Sequence, residues 1–413
     1  MKSRIVFLSM ALALSQTVVS AETRAQTSAP AVSAPPAAAA PAAVPPALVP
    51  VPLPQAIEKA ANALLSGWPK AKVADPGRNL VIDPLIDGYT GAQNASTRKM
   101  GGEITRVVKE NYAGVSVIPF TSLSVTRQPL LLIGTFRPIN TKNDPAGPTD
   151  AFHICLALLD LKSGTVVSKG VARAVPDGVD VTPTVFFQDS PVWIQDAATT
   201  GYVKSCQATK VGDPIDQAYA DRIIVASLIS DAIDAYEAKR YKDAVDLYQG
   251  ALRTPGGDQL RVYNGLYLSN ARLKKMPEAA ASFGKLVDHG LKSSKLGVNF
   301  LFAQNSTIFY TPKGVVAPYD MWLKTIGDRA SATGACLEVV GHTSKKGPPA
   351  INDRLSTLRA EYVRDRLIGF APKLTERSVA SGVGSRQTIV GTLTDGPHNA
   401  VDRRVEFKTI KCT

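Results

Sequence analysis

The sequence predicts a modular chain of class α/β and α: an N-terminal α/β domain, a short helical-repeat unit and a C-terminal α/β sandwich with two helices on one sheet. Three observations predict it. Short apolar runs around Leu80, Val115 and Leu130, with helical stretches between them, mark the first part. An internal repeat with helical spacing marks the second. A strand, a polar loop and a helix between Gly341 and Ala360, then a last strand from Arg404, mark the third. At 413 residues the chain is long enough for two or three separate cores.

The first residues set the compartment. Lys2 and Arg4 precede an apolar run from Ile5 to Val19, and Val19-Ser20-Ala21 offers small residues for cleavage, so residues 1–21 read as a signal peptide. The run is shorter than the roughly 20 residues of a membrane span; an uncleaved anchor is the alternative. No cysteine precedes Cys155, so nothing near the cleavage point can carry a lipid. Removing residues 1–21 takes two positive charges from +12 and leaves +10. A basic exported chain suits anionic neighbours in the envelope, although the charge also serves solubility. Nucleic acid is excluded by compartment. No later segment reads as a membrane helix, and no series of alternating ten-residue strands suggests a barrel.

Residues 22–54 are rich in Ala and Pro and read as a disordered linker. Extended, it spans on the order of 90–100 Å at ~3.1 Å per residue. It is either a tether or a stretch without a role. Residues 55–210 read as an α/β domain. Ala56 to Leu65 and Gly102 to Glu110 have helical patterns; Leu80 to Ile82, Val115 to Ile118 and Leu130 to Phe136 have strand patterns. Phe152 to Leu161 and Thr165 to Ala174 form a hairpin around Lys162-Ser163-Gly164. The phrases LLLIGTFRPI and LALLDLKSGTVVSKG resemble periplasmic α/β domains of the curli-secretion and penicillin-binding-protein-activator type.

Residues 213–295 are helical and repeat. Tyr241, Ala244, Val245, Tyr248, Ala251 and Leu252 recur 35 residues later as Met276, Ala279, Ala280, Phe283, Leu286 and Val287. Spacings of three and four put each set on one face, with small Ala beside large aromatics. The pair resembles tetratricopeptide repeats, and implies either a docking groove for envelope proteins or a rigid spacer. Two repeats are fewer than the three or so such arrays need, so they are expected to lean on their neighbours.

In residues 296–413, the run GHTSKKGPPAINDRLSTLRA from Gly341 to Ala360 and the later Asp402-Arg403-Arg404-Val405-Glu406-Phe407 resemble the OmpA-like peptidoglycan-binding domain. That family reads GHTD, a spaced glycine, Asn, LSxxRA and NRRVE. The resemblance implies peptidoglycan as partner and a periplasmic, wall- or outer-membrane-associated location. It implies a pocket for the diaminopimelate of the stem peptide, an ammonium and a carboxylate held at fixed distance. Carried over, the binding residues are Thr343, Asn352, Arg359 and Arg403, with Ser344 in the aspartate's place. Asn352 is expected to open the helix, and Leu355, Leu358 and Tyr362 to share one face. Arg359 is expected to present a planar fork to the ligand, in one cavity with Asn352 and Arg403; a salt bridge to Glu361 or Asp365 is the alternative. Ser344 accepts a hydrogen bond without supplying charge, which costs roughly 1–3 kcal/mol of binding. Lys345 and Lys346 add repulsion toward an ammonium. Three outcomes compete: weakened wall binding, a different carboxylate ligand, or a scaffold that binds protein.

The four cysteines fall two and two into separate domains. If the strands after Cys336 and before Cys412 are antiparallel neighbours, as the resemblance implies, these two can bond; Cys155 and Cys206 form the other pair, with free buried thiols as the alternative. The sequence carries no catalytic or metal constellation. His153, His289, His342 and His398 lack zinc-helix spacing, Ser96 and Lys99 match a serine–lysine pattern without its companions, and Gly382 to Gly384 lacks a phosphate-loop lysine. No cofactor is expected.

Overall fold

The structure, a computed structural model, describes residues 48–66, 79–112, 114–140, 149–192, 195–293, 295–310, 318–389, 391 and 401–412. The expected signal peptide and residues 22–47 of the expected linker lie outside these. The described chain is a mixed α/β, multidomain fold built on two sheets.

The first sheet has strand order β3-β1-β4-β5-β6, with β2 also on β4. Its strands are β1 (Leu80–Ile82), β2 (Ile86–Asp87), β3 (Val117–Ile118), β4 (Leu130–Ile139), β5 (Ala151–Asp160) and β6 (Thr165–Ala174). Strands β4, β5 and β6 are antiparallel neighbours, while β1 and β2 run parallel to β4. The unbroken apolar run of β4 is buried on both faces. Leu130, Leu132 and Phe136 face one core, Leu131 and Ile133 the other, the two-residue alternation of a strand. The first core is covered by α1 (Leu53–Ser66) and α2 (Ala95–Asn111), the second by Tyr202 of α5 (Ala197–Gln207) and Tyr219 of α6 (Gln217–Ala220). Helix α3 (Ser122–Thr126) adds Val125 to the second core, whereas α4 (Val185–Asp189) packs Phe186 against Tyr236 in the helices that follow. Gly170 lets α1 settle on β6: a Cβ there meets the Ala60 carbonyl oxygen at 1.9 Å.

Two sequence expectations shift. The last residues assigned to the linker belong to the fold: the Val51 N–H donates to Arg173 O at 3.0 Å, and α1 begins at Leu53. Proline is tolerated in a first helical turn, whose N–H groups have no helical partner. Helix α2 begins at Ala95, not Gly102. Asn94 accepts the Thr97 N–H and Thr97 Oγ1 accepts the Asn94 N–H, a reciprocal cap that outweighs Gly101 and Gly102.

Helices α7 (Ile223–Glu237), α8 (Tyr241–Arg253), α9 (Leu260–Arg272) and α10 (Met276–Lys292) form two hairpins. The 35-residue repeat extends to their turns. Lys239 and Lys274 both have φ of 61°. The Arg240 N–H bonds to Ala235 O and the Lys275 N–H to Asn270 O, each pair 35 residues from the other. Small-beside-large packing is tight: a Cβ on Gly265 lands 2.0 Å from the Tyr248 ring.

The second sheet has order β7-β10-β8-β9, from β7 (Lys295–Leu301), β8 (Cys336–Gly341), β9 (Ser378–Gly382) and β10 (Arg404–Ile410). Strand β10 is antiparallel to β7 and β8, and β9 is parallel to β8. Helices α11 (Tyr319–Thr333) and α12 (Pro349–Phe370) cover it. Its core continues into the helical pair: Trp322 stacks on Phe283 at 5.6 Å and donates its indole N–H to Tyr267 Oη at 2.8 Å. The helices thus lean on this module, as two repeats alone require. Disulfides join Cys155 to Cys206, linking β5 to α5, and Cys336 to Cys412, linking the start of β8 to the residues after β10. No helix among the described residues is long and apolar enough to cross a membrane.

Candidate functional site

The residues of the C-terminal motif converge on one loop, residues 342–348, between β8 and α12. Helix α12 approaches the sheet closely because Gly341 lies where a Cβ sits 1.9 Å from Ser356 O. Ser356, fully buried, donates to Asp353 O and accepts the Gly384 N–H, and the Thr343 N–H reaches Gly384 O. Gly, Ser and Thr thus lock the loop, the helix and the turn after β9 together.

Asn352 does not open the helix. Helix α12 starts one turn earlier, at Pro349, because proline suits the first turn; Pro348 holds the N-cap position without a side-chain hydrogen bond. The Asn352 amide instead points into the loop, where Nδ2 lies 3.3 Å from Lys346 O and 3.4 Å from Gly347 O. It clamps the backbone. Leu355, Leu358 and Tyr362 recur at helical spacing on one side, of which Tyr362 packs partly against the core. Leu358 is 43% and Ile351 61% exposed, while Asn352, Ser356, Arg359, Ala360, Val363 and Leu367 face inward. Apolar residues occur on both sides of this helix, so spacing alone does not choose between them.

Arg359 departs most from expectation. Its side chain is 0% exposed. Nε donates to Ser306 O at 2.9 Å, Nη2 to Ala303 O at 2.9 Å and Nη1 to His342 O at 3.2 Å. The guanidinium lies over the Phe302 ring at 5.1 Å. It staples the 303–306 turn to the start of the motif loop, instead of opening a fork to solvent. Arg403 Nε donates to Phe302 O at 3.1 Å, the main-chain carbonyl of the same residue. Thr343 and Ser344 lie in the loop, Asn352 and Arg359 reach its backbone from α12, and Arg403 contacts the adjoining Phe302 carbonyl. Asp402 is buried, and its carboxylate accepts the N–H groups of Ile389 and Gly391. Among the described residues, Thr343 Oγ1 is buried and makes no hydrogen bond, as is true of Nδ1 of the adjacent His342.

Glu406 and His342 lie within the motif, and the resemblance gives neither a ligand to hold. His342, fully buried, has Nε2 3.0 Å from a Glu406 oxygen. Burial pushes the His342 pKa down, keeping the ring neutral. Burial opposes ionisation of Glu406 too, but the adjacent His342 ring nitrogen and the Arg404 charge outweigh it and hold the carboxyl at about 2. The alternation of β10, which turns Glu406 to the same side as Arg404, was the available signal.

The sign of the pH effect follows. Glu406 stabilises the fold fully above 4.5, its ordinary value, and that contribution is lost as pH falls toward about 2. His342 acts in the same direction, because below about 6.5 the unfolded chain takes up a proton that the folded one refuses. Glu406→Gln is expected to cost on the order of 3 kcal/mol near neutral pH, with the difference from wild type closing toward the acid end. Urea unfolding across this range measures it; a gap independent of pH counts against the pairing.

The serine of the serine–lysine pattern is held in a structural hydrogen bond, in which Ser96 Oγ accepts the Asp180 N–H at 3.0 Å.

No family model matches the chain, and no curated protein matches it. Solved structures do show similarity to parts of it. The peptidoglycan-associated lipoprotein from Burkholderia pseudomallei is 20% identical over 27% of this chain and 89% of its own, with a TM-score of 0.22. The C-terminal domain of Helicobacter pylori MotB is 19% identical over 27% of this chain and 84% of its own, also at 0.22. The cell wall anchor of the T6SS from Pseudomonas aeruginosa is 22% identical over 32% of this chain and 95% of its own, again at 0.22.

Proposed function

We propose that this is an exported cell-envelope protein that associates non-covalently with peptidoglycan through the loop at residues 342–348, its N-terminal modules docking envelope proteins. The reading places it in the periplasm, at the wall or outer membrane. The observation that carries it is the buried, unpartnered Thr343 hydroxyl in a loop underlain by the Arg359 charge. A buried hydroxyl without a partner is unfavourable by about 1–3 kcal/mol, and a bound stem-peptide group relieves it. Arg359 contributes positive potential from beneath the loop for a diaminopimelate carboxylate, with Arg403 beside it. Ser344 gives the ammonium a neutral acceptor, so binding is weaker by one to two decades than with an acid there.

A second reading is that the module is an assembly scaffold that binds protein in place of glycan. It is favoured by the way Arg359 and Asp402 are occupied with main-chain groups. Retention on purified sacculi separates the two. The first reading expects weak wild-type retention, with Ser344→Asp increasing it roughly ten- to hundredfold. A folded Ser344→Asp protein that passes through with the wild type supports the scaffold.

A further inference from the structure

A second candidate site lies far from this loop in sequence, where α5 and α6 meet the helical pair. A cleft of about 490 Å³ opens there. One wall is the face of α5 carrying Asp196, Thr200, Gly201 and Lys204. The opposite wall is Asp258 to Leu260 together with His289 and Ser293, and Arg222 also lines it.

The charges within it are not all neutralised internally. Asp258 is occupied by His289, 2.9 Å away. Asp196 uses Oδ1 to cap α5, accepting the N–H and hydroxyl of Thr199, whereas Oδ2 is buried and has no partner. Lys204 sits eight residues further along the same helix face, exposed and with no ion pair among the described residues. Eight residues rise ~12 Å along a helix, and side chains lean toward the N-terminus, so the lysine head closes part of that distance. An acceptor and a cation then stand ~7–10 Å apart, the span between the termini of an extended di- or tripeptide at ~3.3–3.6 Å per residue. Thr200 and Gln259 between them offer neutral hydrogen-bonding groups.

We propose that this cleft binds a short peptide with both termini free, its ammonium on Asp196 and its carboxylate on Lys204. The site is independent of the loop at 342–348 and does not rest on the wall-binding reading. Pairing with a carboxylate oxygen that is already desolvated is favourable because a charge-assisted bond replaces an unmade one.

Calorimetric titration of the full chain with trialanine tests this. Trialanine is expected to bind with a dissociation constant below about 1 mM, and its N-acetylated and C-amidated forms at least about tenfold more weakly. Asp196→Asn keeps the helix cap, since asparagine caps as well as aspartate. This variant is expected to lose about tenfold for trialanine and little for the N-acetylated form. Lys204→Met is expected to show the same pattern with the amidated form. Absence of binding, or equal affinity for free and blocked peptides, overturns the proposal. Sacculus retention by the same two variants is expected to match wild type, which keeps this outcome apart from that of the loop.

Discussion

Arg359→Met is expected to destabilise the C-terminal module by about 3–5 kcal/mol, because a buried charged donor set is removed and its acceptors are left behind. Methionine fills much of the volume, so the loss reads out hydrogen bonding more than packing. Three carbonyls, from Ala303, Ser306 and His342, lose their donor at once. Arg359→Lys is expected to lie in between: an ammonium keeps the charge but lacks the planar fork that reaches all three. Urea unfolding of the three proteins, with sacculus retention measured on the folded fraction, checks both aspects. A methionine variant as stable as wild type that loses only retention makes the guanidinium a ligand contact and contradicts the staple.

Cys336→Ser with Cys412→Ser is the second large effect. The bond closes a segment of 76 residues. Constraining a loop of that length is worth about 4–5 kcal/mol in the chain-entropy account. The bond also fixes the far end of β10, where Ile410 pairs with Cys336. Strand β10 carries Arg404 and Glu406 toward the motif loop, and Arg403 immediately precedes it. Losing the bond is therefore expected to loosen these residues, seen as faster amide exchange along β10 and an unfolding midpoint at lower urea. The Cys155→Ala, Cys206→Ala variant, measured with and without reductant, isolates the Cys336–Cys412 bond. An unchanged midpoint after loss of Cys336–Cys412 refutes the expectation.

Much of the architecture was readable from residue patterns, and the exceptions have physical reasons. The doubly apolar β4, the hairpin at Gly164 and the 35-residue recurrence were legible because each is set by local periodicity or one turn residue. Helix α12 was legible as a helix but not in its orientation. Its inward face carries Asn352, Ser356 and Arg359, polar groups whose burial depends on carbonyls brought in from residues 303–306. Sequence spacing cannot report such distant acceptors. The same applies to Asp402, whose partners are the N–H groups of Ile389 and Gly391. The motif's residue types were visible; what each one holds was not. The start of α1 was missed because prolines that suit a flexible tether also suit a first helical turn.

The Trp322 indole, wedged against Phe283 and Tyr267, has a mechanical corollary. A module that shares its interior with the adjoining hairpins resists bending where their side chains interlock. Load entering at one end of this span reaches the other with little slack, as through a short stiff strut, and the compliance of the assembly has to reside elsewhere.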